Sequence, residues 1–410
     1  MTTRRRILQQ GAAAVAAMLL PAGSTRLFAQ VEAPPVGPLR PKLLQTPNFA
    51  ELRKSARFVA GVRPHRTGGV CLSCTEIDTA KGSKFLVHNY GHSGAGITLS
   101  WGCASVVRDH VETALAQMRA AKKSASVAVI GSGVIGLTVA SELRGKWSAL
   151  PITVYAKTLD LSKTTSFIAG GQFEPSQIYA EYRGDRKPIL DDYLERSAAR
   201  IRGLLKLKSW REYGLADRPN FTLDDANPSF DIYTPKDIVP DFKRGTLPFE
   251  KMSEVVGREY NTWLMNPRML LPKLTAELKR AKVRFVAKEF KDRKQVEDLK
   301  ETIIINCTGY GAKVLFEDKA VLGRLGHLAV LRNPKQLRYF FSGGCGPANM
   351  EAISYMFARQ TDIVVGGTVI QWTDDNDFDH KPKNGDDAIK KRLLDNIERV
   401  FEGHPQDCIR

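Results

Sequence analysis

The sequence predicts an α/β fold in which a helix-covered parallel sheet is joined to a second, mostly antiparallel sheet. Three observations predict it. The run Val127-Ala128-Val129-Ile130 is apolar, of strand length, and ends at Gly131; an Ala- and Leu-rich segment follows, so strand period gives way to helix period at the glycines. The same architecture resumes late, where a helix over 268–280 feeds strands at 283–290 and 302–306. Between these parts lies 214–262, rich in Pro, Asp and aromatics, which reads as short strands and loops of another layer; a strand at 362–370 belongs with it.

Composition narrows the classes. Of 410 residues, 43% are hydrophobic and 26% charged, a globular balance that excludes a disordered or fibrous protein and suffices for one large core or two linked ones. The apolar run nearest membrane length is at the N-terminus and is broken by Gly11, Pro21 and Gly23, so no stable span is expected once it is removed. The formal net charge of +17 suits anionic ligands, nucleic acid or an anionic envelope surface without choosing among them. Six cysteines in so long a chain do not make a disulfide scaffold. Cys71 and Cys74 have the spacing of a redox or metal pair, but they follow Gly68-Gly69-Val70 in what reads as a strand, where side chains three apart face opposite ways. No second Cys/His pair stands at zinc spacing, so no metal site is expected.

In chain order, Arg4-Arg5-Arg6-Ile7-Leu8, a small-residue apolar stretch over 11–20 and a cleavage point after Ala29 have the plan of an export signal of the twin-arginine kind. That route carries folded, often cofactor-loaded proteins, and implies the export machinery as a partner and a periplasmic destination. Four prolines from Pro34 to Pro41 forbid a helix and make an extended linker. A strand over 84–88 leads into a Gly-rich loop over 90–96, then a helix over 104–121. The βαβ unit follows, with a strand over 126–130, a helix over 135–144 and a strand over 152–156. The stripe Leu194, Ala198, Ile201, Leu204 and Leu205 predicts a packing helix within 190–213 with a solvated basic face, rather than a nucleic-acid reader. The tail over 388–401 reads as helix.

Gly131-Ser132-Gly133-Val134-Ile135-Gly136 carries the strongest local chemistry. Its first glycine permits a tight turn, its second lets backbone approach a pyrophosphate, and its third lets helix and strand pack closely, with the helix N-terminus facing the anion. The second strand ends at Lys157, where an acid ordinarily accepts hydrogen bonds from the adenosine ribose. Lysine cannot accept. Either other acceptors meet the ribose or the adenosine end is held differently, and from the motif alone both NADP and FAD remain open.

Several further runs resemble the D-amino-acid oxidase family of FAD enzymes. Val154-Tyr155-Ala156, Thr164-Thr165 and Ala169-Gly170-Gly171 resemble its flavin-contacting segment. Val283-Arg284-Phe285-Val286 and Ile305-Asn306-Cys307-Thr308-Gly309 resemble its later nucleotide-domain strands. Gly61-Val62-Arg63-Pro64-His65-Arg66 resembles its substrate-carboxylate motif, Tyr355 with Gly366-Gly367 its active-site tyrosine and the strand behind it, and the long run from His88-Asn89-Tyr90-Gly91-His92 to Trp101-Gly102 its flavin-ring loop. The arginine and the flavin-ring loop stand ahead of the glycine motif instead of at the C-terminal end. The resemblance therefore describes a circular permutation over roughly 52–400, which is permitted where termini lie close together on a surface.

The resemblance implies a Rossmann-like FAD-binding domain with a mostly antiparallel substrate domain. The expected division is a signal over 1–29, a linker over 30–51, FAD-binding parts over 52–175 and 263–320, and substrate-binding parts over 176–262 and 321–410. It implies FAD contacts from Gly131, Ser132, Gly133, Val134, Ile135, Gly136, Thr164, Thr165, Ala169, Gly170, Gly171, Phe290, Thr308, Gly309 and the loop Gly94, Ala95, Gly96, Ile97 and Thr98. Arg63 and Tyr355 would bind the substrate carboxylate, and Gly94 would let the amine approach a backbone carbonyl. His92 is read as structural, because oxidation at Cα needs no imidazole base. The family's second tyrosine falls on Glu351, where a carboxylate would favour cationic side chains and repel D-aspartate. Arg324-Leu325-Gly326-His327 matches the family's Arg-Gly-Gln strand imperfectly.

The expected function is oxidation of D-amino acids with oxygen reduced to hydrogen peroxide. The rivals are a dehydrogenase passing electrons to a quinone or carrier, and a noncatalytic flavin-binding protein. The expected partners are a D-amino acid and oxygen, with no nucleic acid; a homodimer is left open.

Overall fold

The computed structural model describes residues 37–223, 235, 242–345, 353–372 and 387–405. The expected signal, the first part of the linker (30–36) and Glu351 lie outside them. In chain order the main elements are strands β1 (Arg57–Arg66), β2 (Cys71–Thr79) and β3 (Gly82–Tyr90), helix α1 (Gly96–Ala120), β4 (Val127–Ile130), α2 (Val134–Lys146), β5 (Ile152–Ala156), α3 (Lys187–Leu205), β6 (Leu215–Leu223), β7 (Lys243–Thr246), β8 (Val256–Met265), α4 (Pro267–Arg280), β9 (Arg284–Ala287), β10 (Ile303–Asn306), β11 (Val321–Leu331), β12 (Phe340–Cys345), β13 (Ile353–Ala358), β14 (Ile363–Gly366), β15 (Ile370–Trp372) and α5 (Asp387–Phe401).

Two sheets organise them. The smaller runs β2-β3-β10-β4-β5-β9. Within it β3, β10, β4, β5 and β9 are parallel and β2 is antiparallel at the edge. β4, β5 and β10 are buried along their whole length, as their mostly apolar sequences, with Thr153 and Asn306 the polar exceptions, suit when both faces of a sheet are covered. One face packs against α1, α2, α3 and α4 through a core that includes Val107, Val111, Leu137, Leu194 and Leu274; the other covers Ala128, Tyr155, Phe290 and Ile304. The larger sheet runs β1-β11-β14-β13-β12-β6-β8-β7, with β15 also paired to β11; α5 lies over a second core of Phe249, Phe341, Ile397 and Phe401.

The layering agrees with the predicted α/β fold, but two segments sit elsewhere than expected. β1, assigned from sequence to the FAD-binding part, pairs antiparallel with β11 along its whole length, from Arg57 opposite Val330 to Arg66 opposite Val321. It is thus an edge strand of the larger sheet. α3, assigned to the substrate-binding part, covers the parallel sheet instead: Leu190, Leu194, Ala198 and Ile201 are buried, and its Ser197 Oγ accepts the Gly102 N–H of α1 at 2.8 Å.

α1 starts eight residues before the predicted helix because its first two turns, Ile97 to Ala104, are buried on every side and show no amphipathic period. Cys71 and Cys74 lie on β2 as free thiols. Among the described residues no helix is long and apolar enough to cross a membrane, and no group of three His, Cys, Asp or Glu side chains could hold a metal ion.

Candidate functional site

The order of the parallel strands fixes where a ligand can bind. The chain moves from β4 outward to β5, then returns to place β10 on the other side of β4, so the direction of strand addition reverses between β4 and β10. Crevices at such a reversal, beyond the carboxyl ends of the strands, are where open α/β sheets bind ligands. Asn306 of β10 is level with Ile130 of β4 on one side and His88 of β3 on the other. That register brings the loop after β3, distant in sequence, beside the glycine turn after β4.

A cavity of about 910 Å³ opens there, within the range of small-molecule sites. Its wall includes Gly94, Gly96 and Ile97 after β3; Gly131, Ser132, Gly133, Val134 and Ile135 after β4; Lys157 and Thr158 after β5; Lys288 to Lys291 after β9; and Thr308 and Gly309 after β10. Gly131 makes the turn at φ 117, and a Cβ there would strike the Cys307 carbonyl. The turn is pinned by Gly131 N–H to Tyr155 O at 2.7 Å and Cys307 N–H to Ile130 O at 2.9 Å.

Most of the expected contact residues reach this wall. Thr164, Thr165, Ala169, Gly170, Gly171, Phe290, Arg63 and Tyr355 line it with those named above. Gly136, Ala95 and Thr98 do not. Gly136 packs onto the Gly131 carbonyl, the close helix–strand contact the third glycine was expected to make. Ala95 is fully buried. Thr98 turns its hydroxyl to the Glu174 carbonyl at 2.8 Å and accepts the Glu174 N–H at 2.9 Å, so it clamps the wall from behind. At the start of α2, the Val134 N–H is already bound to Ser166 Oγ at 3.0 Å, which leaves the other first-turn donors for an anion.

The larger sheet supplies the opposite end. Arg63 on β1 donates from Nη1 to Thr368 O at 3.0 Å, and its guanidinium lies flat over Gly326 of β11, where a Cβ would overlap it. Tyr355 on β13 is level with Gly366 of β14, and a Cβ at Gly366 would overlap the phenol ring. The two glycines thus clear a path across the sheet along which Arg63 hydrogen-bonds Tyr355. Burial raises the Tyr355 hydroxyl above its ordinary pKa, opposed by the Arg63 charge, while the Glu174 carboxylate adds to the rise. Tyr355 stays a neutral donor beside a cation, a pair suited to a carboxylate.

Buried polar atoms without protein partners mark the cavity as a polar site. Both amide atoms of Asn89 and of Gln172, and Nε2 of His92, lack partners, although all three residues are at least nine-tenths buried and line the cavity. Burial drives the His92 pKa down to about 3, so it is neutral near pH 7, in keeping with a structural role. The turn that follows it is braced: Ser93 sits at φ 52, its hydroxyl 3.2 Å from His65 Nδ1, with His65 Nε2 3.3 Å from Glu181.

Sequence reasoning passed over Gln172, Glu174, Lys288, Glu289 and Lys291 as site residues. Gln172 and Glu174 follow a recognised glycine run, and Lys288, Glu289 and Lys291 lie at the end of the strand expected over 283–290, which the structure ends at Ala287; adjacency to those motifs was the one signal that could have found them.

The wall over 169–171 is held by a buried ion pair. Arg359 Nε donates to Asp362 Oδ1 at 2.6 Å and its Nη1 to Ala169 O at 2.9 Å, while Arg268 Nη1 stands 3.1 Å from Asp362 Oδ2. Asp362→Ala is expected to lower stability by about 3–5 kcal/mol, because the buried Arg359 and the partly buried Arg268 lose their partner. A urea midpoint equal to that of the unsubstituted protein would contradict this.

The family described as FAD dependent oxidoreductase matches residues 126–410. A D-amino-acid oxidase of Streptomyces coelicolor is 28% identical over 258 residues, 60% of this chain and 71% of that protein. A D-amino-acid oxidase of Rubrobacter xylanophilus is 53% identical over 45 residues, 11% of this chain and 13% of that protein. Among solved structures, the iminodiacetate oxidase of Chelativorans sp. BNC1 is similar with a TM-score of 0.48 and 14% identity, covering 68% of this chain and 79% of that one. The glycine turn at the strand-order reversal lies inside the matched segment, and the orphaned amides and free helix donors around it fit a polar, anionic dinucleotide: the chain belongs to the FAD-dependent oxidoreductase family, and its cofactor is FAD.

Proposed function

We propose that this enzyme oxidises D-amino acids to imino acids, which hydrolyse to 2-oxo acids and ammonia, and that oxygen takes up the electrons as hydrogen peroxide. The observation that carries the reading is the Arg63–Tyr355 pair, laid over Gly326 and Gly366 on the wall of the cavity that the glycine turn also lines. Two parallel guanidinium donors and a phenol fix a carboxylate, which leaves Cα to be held in place. FAD, when bound, supplies the acceptor for the hydride that leaves Cα. Gly94, on the cavity wall, gives the substrate amine access to backbone. The similarity to the Streptomyces coelicolor enzyme supports the D-amino-acid class.

The test is anaerobic addition of D- and L-amino acids to the FAD-loaded protein. Bleaching of the flavin absorbance by D-amino acids alone, and peroxide formation under air, are expected. Bleaching without peroxide would give the electrons to another acceptor, and no bleaching would remove the reading.

Two further points belong to it. Residues 57–102 precede the segment matched by the family, yet they bring Arg63 and the Gly94 loop to the same cavity, which supports a circular permutation. The Arg4-Arg5-Arg6 cluster supports twin-arginine export to the periplasm, which cell fractionation tests.

Glu174 bears on side-chain choice. It lines the cavity and acts electrostatically on Tyr355, so the carboxylate-binding end also carries an anion. Glu174→Gln is expected to lower the ratio of D-arginine to D-methionine turnover about tenfold, as one hydrogen-bonded charge pair is lost. An unchanged ratio would place the Glu174 charge outside substrate selection.

A further inference from the structure

We propose that Glu289 is the ribose acceptor of this enzyme: its carboxylate receives the hydroxyls of the FAD adenosine ribose, in place of the acid that Lys157 has displaced. In a βαβ dinucleotide site that acid stands at the end of the second strand, here β5. The register of the next parallel strand supplies a substitute. Ala156 at the end of β5 is level with Ala287 at the end of β9, and the Lys288 N–H continues the ladder to Ala156 O at 2.8 Å. The first residue beyond that ladder is Glu289, and its carboxylate meets the side chain that stands in the acid's stead: Oε1 lies 3.3 Å from Lys157 Nζ.

Three features suit Glu289 to the task. Lys291 Nζ holds Oε2 at 2.8 Å, so the carboxylate is fixed from both sides by cations. Those two contacts leave acceptor capacity, since an ionised carboxylate offers about four lone-pair sites. The side chain is 41% exposed and lines the cavity, so a ligand can reach it. The Lys291 hydrogen bond lowers its pKa, against a smaller opposing effect of burial, and the Lys157 contact lowers it further. A lowered pKa keeps it ionised, and so an acceptor, near neutral pH. Among the described residues the only other carboxylate on the cavity wall is Glu174, which belongs to the Tyr355 end. Lys157 thus positions the acceptor.

The test measures binding and needs no turnover. FAD and its 2′-deoxyadenosine analogue are titrated into flavin-depleted protein and into its Glu289→Gln variant, with flavin fluorescence as the readout and melting temperature as the control for folding. The unsubstituted protein is expected to bind FAD about tenfold more tightly than the deoxy analogue, and Glu289→Gln to bind both alike at the weaker level. The double variant Lys157→Glu/Glu289→Gln, with the acid restored to β5, is expected to recover the preference for FAD. Equal binding of the two flavins by the unsubstituted protein, or a preference for FAD that persists in Glu289→Gln, would overturn the assignment. ADP carrying a 2′-phosphate serves as a further probe: stronger competition by it than by ADP would mean that the lysines read a phosphate, and would also overturn it.

Discussion

Arg63→Leu is expected to cut kcat/KM for the preferred D-amino acid by about 3–5 kcal/mol, some two to four powers of ten, while the visible flavin spectrum and FAD affinity stay as they were. The size follows from leaving a substrate carboxylate without its counter-charge in an enclosed site. The selectivity follows from position. Arg63 stands on β1 in the larger sheet, anchored to Thr368 O and resting on Gly326, whereas the glycine turn rises from the smaller sheet. Arg63→Lys should recover only part of the loss, because an ammonium is a point charge without the paired donors of a guanidinium. Steady-state kinetics with a flavin titration on each variant checks both statements. Unchanged kcat/KM in Arg63→Leu would mean that the carboxylate binds elsewhere.

The second large effect is expected at Gly131. Gly131→Val should leave a protein that retains no FAD after gel filtration, since a β-branched residue at φ 117 is strained and its Cβ would collide with the Cys307 carbonyl. Gly133→Ala provides the milder comparison. Gly133 has φ −71 and ψ −179, which any residue can adopt, and its added Cβ would meet only Ser166 Oγ at 3.1 Å. That variant should fold with an unchanged melting temperature and bind FAD more weakly. FAD retained at full stoichiometry by Gly131→Val would show that the turn is not the pyrophosphate cradle.

Much of this site was readable before the structure, for physical reasons that also mark the limit. β4, β5 and β10 are buried on both faces, so their sequences are mostly apolar runs that point to a helix-covered parallel sheet. The glycines at 131 and 136 stand where sterics demand them, with added Cβ atoms striking the Cys307 and Gly131 carbonyls. What stayed hidden depends on register. Nothing local in 57–66 shows that its partner is 321–331, and strand pairing at that distance leaves no periodic trace. Glu289 is a charged residue after a strand until the level of Ala287 against Ala156 aims it at Lys157. The early start of α1 was hidden because Ile97 to Ala104 are enclosed all round and carry no stripe. Gln172 and Glu174 follow a recognised glycine run, but only the fold shows that the run turns inward.

The late arrival of β11 has a consequence for biogenesis. During synthesis β1 leaves the ribosome early, carrying Arg63, and its ladder stays open until residues past 321 have followed. An unpaired strand of ten residues is a template for wrong partners, so the nascent chain carries an aggregation hazard for most of its translation. The larger sheet can close only when nearly the whole polypeptide has been made, which favours folding after release over domain-by-domain folding on the ribosome.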